Sequence, residues 1–297
     1  NKESLMPTIQ VHLLGGELFE DHNDYYEDYF SFIENIKKYC NKNLPDKKLL
    51  FVFLTNMNFQ KDSTLKKVET FLDKLRDIDT NFTLTTSWDP TGRPLAGELT
   101  TRFHQNISHF KSDLAEITFV MTKQTIKKLL KDKNSYLDYL YNNGFTLDYD
   151  YYMPTDTVES QMPTDWELLN GIRYLINKYP NIRKLQAYID NFGNPGKLTC
   201  ASLNKITILP DGTITNCKHL DYDKKDFITD INKESNAEMI LGFISKKECL
   251  SCEYFRDCPM SCFLMSDHKK FALNNQLDEC LYKIIFKERD QKNAKEN

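Results

Sequence analysis

Cys249-Leu250-Ser251-Cys252-Glu253-Tyr254-Phe255-Arg256-Asp257-Cys258-Pro259-Met260-Ser261-Cys262 places four thiols within 14 residues. The intervals are two, five and three residues, short enough for one loop to wrap a metal centre. Outward from this stretch, Cys280 lies downstream, and Cys200, Gly212 and Cys217 lie upstream with 11 and four residues between them. Seven of the eight cysteines thus fall between residues 200 and 280. Cys40 stands apart and reads as a small buried apolar residue on a helix.

Composition narrows the meaning of these thiols. The chain has 297 residues, 40% apolar and 12% aromatic, enough for one large domain or two ordinary ones. A formal net charge of −4, with acidic and basic residues intermixed, excludes the basic face of a nucleic-acid binder. No apolar run approaches the roughly 18 residues needed to cross a bilayer. Asn1-Lys2-Glu3-Ser4 opens no signal peptide. The chain therefore reads as cytoplasmic, without membrane or nucleic-acid partners. In a reducing compartment, clustered cysteines point to thiolate–metal sites rather than disulfides. Cys249, Cys252, Cys258 and Cys262 taken alone suit zinc or an iron–sulfur cluster about equally.

The first part of the chain alternates strand-like and helical patterns. Strands are expected at Ile9–Leu14, Leu49–Leu54, Phe82–Ser87, Glu116–Met121 and Phe145–Tyr152. Helices are expected from Tyr25 to Cys40, Thr64 to Arg76 and Tyr136 to Tyr141. Thr164 with Glu167 forms a capping-box signature for a further helix, whose buried face is Trp166, Leu168, Leu169, Ile172 and Leu175. Such alternation implies a parallel sheet with crossover helices, an α/β fold whose ligands gather after strand C-termini. Beyond about residue 180 the pattern changes. Ile206–Leu209, Pro210-Asp211-Gly212 and Thr213–Thr215 read as a hairpin around an Asp-Gly turn, Met239–Ile244 as a short helix, and Lys287–Asn297 as a frayed charged tail.

The whole array of seven cysteines plus Gly212 resembles the SPASM domain, the cysteine-rich extension of one branch of radical S-adenosylmethionine (SAM) enzymes. That resemblance favours iron–sulfur over zinc and implies two auxiliary [4Fe–4S] clusters. Cys249, Cys252, Cys258 and Cys280 would hold one, and Cys200, Cys217 and Cys262 the other. Some members add a cysteine shortly before the first of the seven. Asp190–Gly196 contains none, which leaves the fourth iron open to substrate or held by an oxygen such as that of Asp190.

The same family predicts a partial (β/α)6 barrel that binds SAM. Leu14-Gly15-Gly16-Glu17 resembles its Gly-Gly-Glu motif, in which glycines admit the ligand to the backbone and the acid accepts from the methionine ammonium. Leu18 replaces the usual proline. Leu54-Thr55-Asn56 resembles the family's Thr-Asn step, and Ser87-Trp88-Asp89 its Ser-x-Asp step, with Ser87 toward the SAM carboxylate. The family's Cys-x3-Cys-x2-Cys loop does not occur: Cys40 has no partners at those spacings, and Met265 stands where a third cysteine would complete Cys258-x3-Cys262. Only 14 residues precede Gly15, so the barrel is expected to lack its first β/α unit, by truncation or by loss. The expected domains are a partial barrel over 1–183, a SPASM domain over 184–285 and a charged tail over 286–297.

By this resemblance the chain is a radical SAM enzyme or a fragment of one. It would modify a peptide or protein through hydrogen abstraction by a 5′-deoxyadenosyl radical, supplied with electrons by a flavodoxin or ferredoxin. A third, SAM-binding cluster follows only if the missing segment exists. Lys218 follows the second array cysteine where sulfatase-maturing members carry an Asp base, which argues against formylglycine formation and toward peptide maturation. No catalytic residue is identified. The alternative is a non-catalytic iron–sulfur relative that carries electrons or binds a partner.

Overall fold

The computed structural model describes residues 7–13, 16–88, 97–131, 136–152, 161–189, 206–209, 212, 214–215, 249–255, 258, 277 and 279–296. Five strands form one sheet in sequence order: β1 Thr8–Leu13, β2 Lys48–Thr55, β3 Phe82–Trp88, β4 Leu114–Met121 and β5 Leu147–Tyr151. The sheet is all parallel and curls into a half-barrel. Between the strands run α1 Tyr26–Asn43, α2 Asp62–Asp77, α3 Gly97–His109, and then α4 Lys123–Lys131 with α5 Tyr136–Asn142. Every expected strand is present, its ends shifted by a residue or two.

Register explains which side chains meet the helices. Phe53 pairs with Leu84, Thr55 with Thr86, Thr86 with Ile117 and Trp88 with Phe119. These residues share one face and are nearly all sealed: Phe51, Leu84, Ile117 and Phe119 are 0% exposed. Phe53 meets Phe71 of α2 edge-on at 5.6 Å, and Phe71 meets Tyr26 of α1 at 5.9 Å. Cys40 lies buried on α1 as expected, and burial pushes its thiol pKa up. The opposite face carries Gln10, His12, Thr83, Thr85, Ser87, Glu116 and Thr118, none of them fully buried.

Two helix ends show how local chemistry sets these boundaries. Gly144, at φ 72°, stops α5 while Gly144 N and Phe145 N donate to the carbonyls of Tyr141 and Leu140. That pairing is a Schellman motif with glycine where a Cβ is disfavoured. Asp79, at φ 51°, ends α2 in the same way without that freedom, and Lys37 Nζ caps its carbonyl at 2.6 Å.

The chain divides into two compact units, residues 1–120 with 134–150, and residues 121–133 with 151–297. The first holds nearly all of the sheet. The second contains α4, α6 Asp165–Lys178, α7 Gln186–Ile189, the hairpin strands β6 Thr207–Ile208 and β7 Ile214–Thr215, and α8 Leu281–Glu296. The expected capping box starts α6: Thr164 Oγ1 accepts from Glu167 N at 3.1 Å, and Thr164 N donates to the Glu167 carboxylate at 3.0 Å. Of the face expected for α6, Leu168, Leu169, Ile172 and Leu175 are buried, but Trp166 is half exposed with Arg173 over its ring. The hairpin is antiparallel, with Gly212 at φ 82° donating to the Leu209 carbonyl at 2.9 Å.

The C-terminus departs from the sequence reading. Composition predicts fraying over Lys287–Asn297, yet α8 continues to Glu296. Leu281, Tyr282, Ile285 and Phe286 are buried and seat its first turns. Glu288 pairs with Arg173 of α6 through both carboxylate oxygens, and Asp290 accepts from Tyr254 Oη at 3.0 Å. These partners are 115 and 36 residues away in sequence, too far for local composition to reveal them.

Gly171 marks a close approach of α6 to β4 and α4. A Cβ there would lie 2.7 Å from Met121 Cε and 3.2 Å from Ile126 Cγ1, both buried. Gly171→Val is expected to cost roughly 1–3 kcal/mol by overpacking, read as a lower urea midpoint. An unchanged midpoint would mean that this contact yields freely.

Candidate functional site

In a parallel sheet every strand ends on the same edge, so the segments after β1, β2 and β3 become neighbours. After β1 the backbone passes through Gly16 at φ 61°, in the left-handed region where glycine is unstrained. A Cβ on Gly16 would meet no atom of the described residues within 4 Å. Leu14 and Gly15 lie outside the described residues.

Glu17 follows, and its carboxylate reaches across to the end of β2. One oxygen accepts from Thr55 Oγ1 at 2.5 Å and from its own loop at Phe19 N, 3.1 Å; the other accepts from Asn56 N at 2.5 Å. Two short motifs 38 residues apart, legible separately in the sequence, are thus one hydrogen-bonded unit. An ionised carboxylate offers about four acceptor positions, so the three donors among the described residues leave Glu17 capacity for a ligand.

The loop after β2 is fixed from other sides as well. Met57, fully buried, has φ 53°, a conformation that costs on the order of 1–2 kcal/mol for a residue with a side chain. Its N–H donates to Thr55 Oγ1 at 3.2 Å. Asn106 of α3 donates to the carbonyls of Met57 and Phe59 at 2.9 and 3.0 Å. Asp21 accepts from Gln60 N at 2.9 Å, Lys61 N at 3.0 Å and Thr64 Oγ1 at 2.7 Å, bonds that hold its carboxyl below the usual carboxylate range despite the opposing effect of burial. Sequence reasoning missed Asp21, Met57 and Asn106. An isolated Asp or Asn carries no spacing signal, and a left-handed Met has none at all.

Ser87 sits at the end of β3 on the polar side of the sheet, paired in register with Thr118 of β4. It shares the working edge with Glu17 and Thr55; Asp89, the third residue of its motif, lies outside the described residues. On the other side of β3, Trp88 packs on Tyr136 at 4.7 Å, and His104 contacts Tyr136 and Tyr139 at 4.5 and 4.8 Å. Burial lowers the His104 pKa, so the ring is neutral at pH 7.

Of the seven array cysteines, Cys249, Cys252, Cys258 and Cys280 are described, and Cys200, Cys217 and Cys262 lie outside the described residues, as do Asp190 and Lys218. The described four are not joined in disulfides. Cys249 and Cys252 close one 3₁₀ turn, with Cys252 N donating to the Cys249 carbonyl at 3.0 Å, and Cys258 N donates to the Tyr254 carbonyl at 2.9 Å. Cys280 immediately precedes α8. Their chemistry suits iron–sulfur ligation, but among the described residues no three His, Cys, Asp or Glu side chains gather as a metal site.

The whole chain aligns with one solved structure, a hexahistidine-tagged anSMEcpe with bound AdoMet, an anaerobic sulfatase-maturating radical SAM enzyme. The alignment covers 98% of this chain and 81% of that one, at a TM-score of 0.63 and 16% identity. The fold is of the radical SAM type. At that identity the likeness concerns the radical SAM fold alone. No protein-family model and no curated protein matches the sequence. Among the described residues, no helix is long and apolar enough to cross a membrane.

Two measurements check this site. Glu17→Gln replaces one acceptor oxygen by an NH2 group, so a donor at Thr55 or Asn56 loses its partner. It is expected to cost about 1–3 kcal/mol and to speed hydrogen exchange across residues 56–61. His104 titrates at lower pH in the folded chain than unfolded, so its contribution is complete above pH 6.5 and is lost as pH falls from there toward the depressed folded value. His104→Phe should flatten stability against pH in that window, and identical profiles would refute the assignment.

Proposed function

We propose that this protein is a radical SAM enzyme that modifies a peptide or protein substrate by hydrogen abstraction. The observation carrying the proposal is the union of Gly16, Glu17, Thr55 and Asn56 at the C-terminal edge of a radical SAM-type half-barrel. The left-handed Gly16, with no atom of the described residues within 4 Å of where its Cβ would be, fits a ligand lying against the backbone, and the Glu17 carboxylate fits an ammonium group. In this reading Gly15, Gly16 and Glu17 receive the methionine end of SAM, Ser87 receives its carboxylate, and bound SAM supplies the abstracting radical.

The cysteines extend the proposal. Cys249, Cys252, Cys258 and Cys280 are assigned to one auxiliary [4Fe–4S] cluster, and Cys200, Cys217 and Cys262 to a second. A flavodoxin or ferredoxin serves as reductant in the cytoplasm. The aligned enzyme is a sulfatase-maturating one, yet Lys218 stands here where that chemistry expects an Asp, so peptide maturation is the reading we favour. The absence of a Cys-x3-Cys-x2-Cys motif from the 297 residues supports a second reading, an iron–sulfur relative that carries electrons or binds a partner without cleaving SAM.

Calorimetric titration with SAM separates the two. Binding should be measurable and should weaken by tenfold or more in Glu17→Ala, since a hydrogen bond to a charged group is worth about 1.5–3 kcal/mol. Absence of binding to the wild type would defeat the SAM-site reading and favour the non-catalytic one. Anaerobic protein should carry about eight irons per chain, four per auxiliary cluster; stoichiometric zinc instead would overturn the cluster assignment.

A further inference from the structure

The thiol-bearing loop and helix α8 are fastened to each other at several points. Tyr254 lies inside the loop, between Cys252 and Cys258. Its ring stacks on Phe286 of α8, with centroids 5.2 Å and planes 13° apart. Its hydroxyl donates to Asp290, one turn further along the helix, at 3.0 Å. The loop is in turn wound about Tyr254: Cys258 N donates to the Tyr254 carbonyl at 2.9 Å, and Phe255 N to the Cys252 carbonyl at 3.1 Å. Lys283, in the first turn of α8, lies 3.8 Å from Glu253 and 3.6 Å from Glu279. Glu253 directly follows Cys252 and Glu279 directly precedes Cys280, so one ammonium group ties together the chain beside two thiols.

The helix that provides these contacts is itself held without the thiols. Tyr188 of α7 stacks against Tyr282 at 6.0 Å and meets the fully buried Phe286 at 5.3 Å. Tyr282 Oη donates to Tyr151 Oη at 2.8 Å, and Glu288 pairs with Arg173 of α6. The Cys280 carbonyl accepts from Ile284 N at 3.1 Å, so the backbone of Cys280 is fixed by the start of α8. Small thiolate sites ordinarily take their order from the metal, and without it they unfold. Here the order has another source.

We propose that α8 is the template of the thiol site: Tyr254, Phe286 and Asp290, with Lys283 in support, are positioning residues that hold the Cys249–Cys258 loop beside Cys280 before any metal is bound. Lys283 contributes less than the others, since it and its carboxylate partners are partly exposed. What these residues fix is backbone. The side chains, which form no three-residue metal group among the described residues, are left for a bound metal to draw together. Affinity at this site then depends on residues that touch no metal. The proposal deepens the assignment of these four thiols to one centre and rests on that assignment. It is indifferent to SAM, and to whether the centre holds iron–sulfur or zinc.

The test uses the full chain, freed of metal with chelator and reductant, and follows it by hydrogen exchange and by Co2+ titration. The amides of Cys252, Phe255 and Cys258 should already exchange slowly in the metal-free wild type. Tyr254→Ala should speed their exchange about tenfold or more while leaving α6 unchanged, which shows the variant to be folded. Tyr254→Phe keeps the stack on Phe286 and should retain most of the protection. Affinity for Co2+, read from its thiolate charge-transfer absorbance, should fall about tenfold or more in Tyr254→Ala. Free exchange of the loop in the metal-free wild type, equal exchange in wild type and Tyr254→Ala, or equal Co2+ affinity overturns the proposal. So does a wild type that binds no Co2+ through its thiolates. Iron or zinc content decides only which metal the site prefers, so the cluster assignment can fail while the template stands.

Discussion

The carboxylate of Glu17 sets the working edge of this molecule. Among the described residues, β1 and β2 pair from Thr8 with Lys48 to Leu13 with Phe53, and a parallel ladder does not by itself dictate where the two following loops go. Glu17 supplies what the ladder does not, taking a hydroxyl from Thr55 and an N–H from Asn56 while its own loop closes on Phe19. The left-handed Met57, the double donation by Asn106 and the triple acceptance by Asp21 then extend that order down the loop into α2. A ligand arriving at this edge meets a surface already organised, with little left to rearrange.

The two faces of the sheet divide the labour. One is closed by Phe51, Phe53, Leu84, Ile117 and Phe119 against the helices and provides most of the burial that stabilises the first unit. The other bears Gln10, His12, three β3 hydroxyls, Glu116 and Thr118, residues that would weaken a core but can orient a polar guest. Because strand alternation is two-residue, one register pair fixes the faces of β2 and β3, while the irregularity at Leu84/Thr85 resets the register once against β4.

That arithmetic also explains what was legible beforehand. Strands with Val, Ile, Leu and Phe runs announce themselves, as do the Thr164–Glu167 capping box and the Asp211-Gly212 turn, because each signal lies within a few residues. The Gly-Gly-Glu and Thr-Asn motifs are recognisable individually, but their union at Glu17 is not, since it depends on which strands become neighbours. Asp21 and Asn106 act through single hydrogen-bond geometries with no periodicity to detect. The C-terminal segment misleads for a related reason. Apart from Ala294, every residue from Lys287 to Glu296 is charged or an amide, which suggests solvation. The buried stretch that seats it, Leu281 to Phe286, belongs to the preceding turns.

Helix α8 carries a consequence for how this chain can change over time. Its outer turns hold an Arg173 guanidinium through Glu288 and a Tyr254 hydroxyl through Asp290. A stop codon arriving after Ile285 would delete Phe286, Glu288 and Asp290 together, stripping an aromatic neighbour from Tyr188 and Tyr254 as well as both polar partners. A segment that looks dispensable by composition therefore supplies partners to residues 36 and 115 positions away in the sequence.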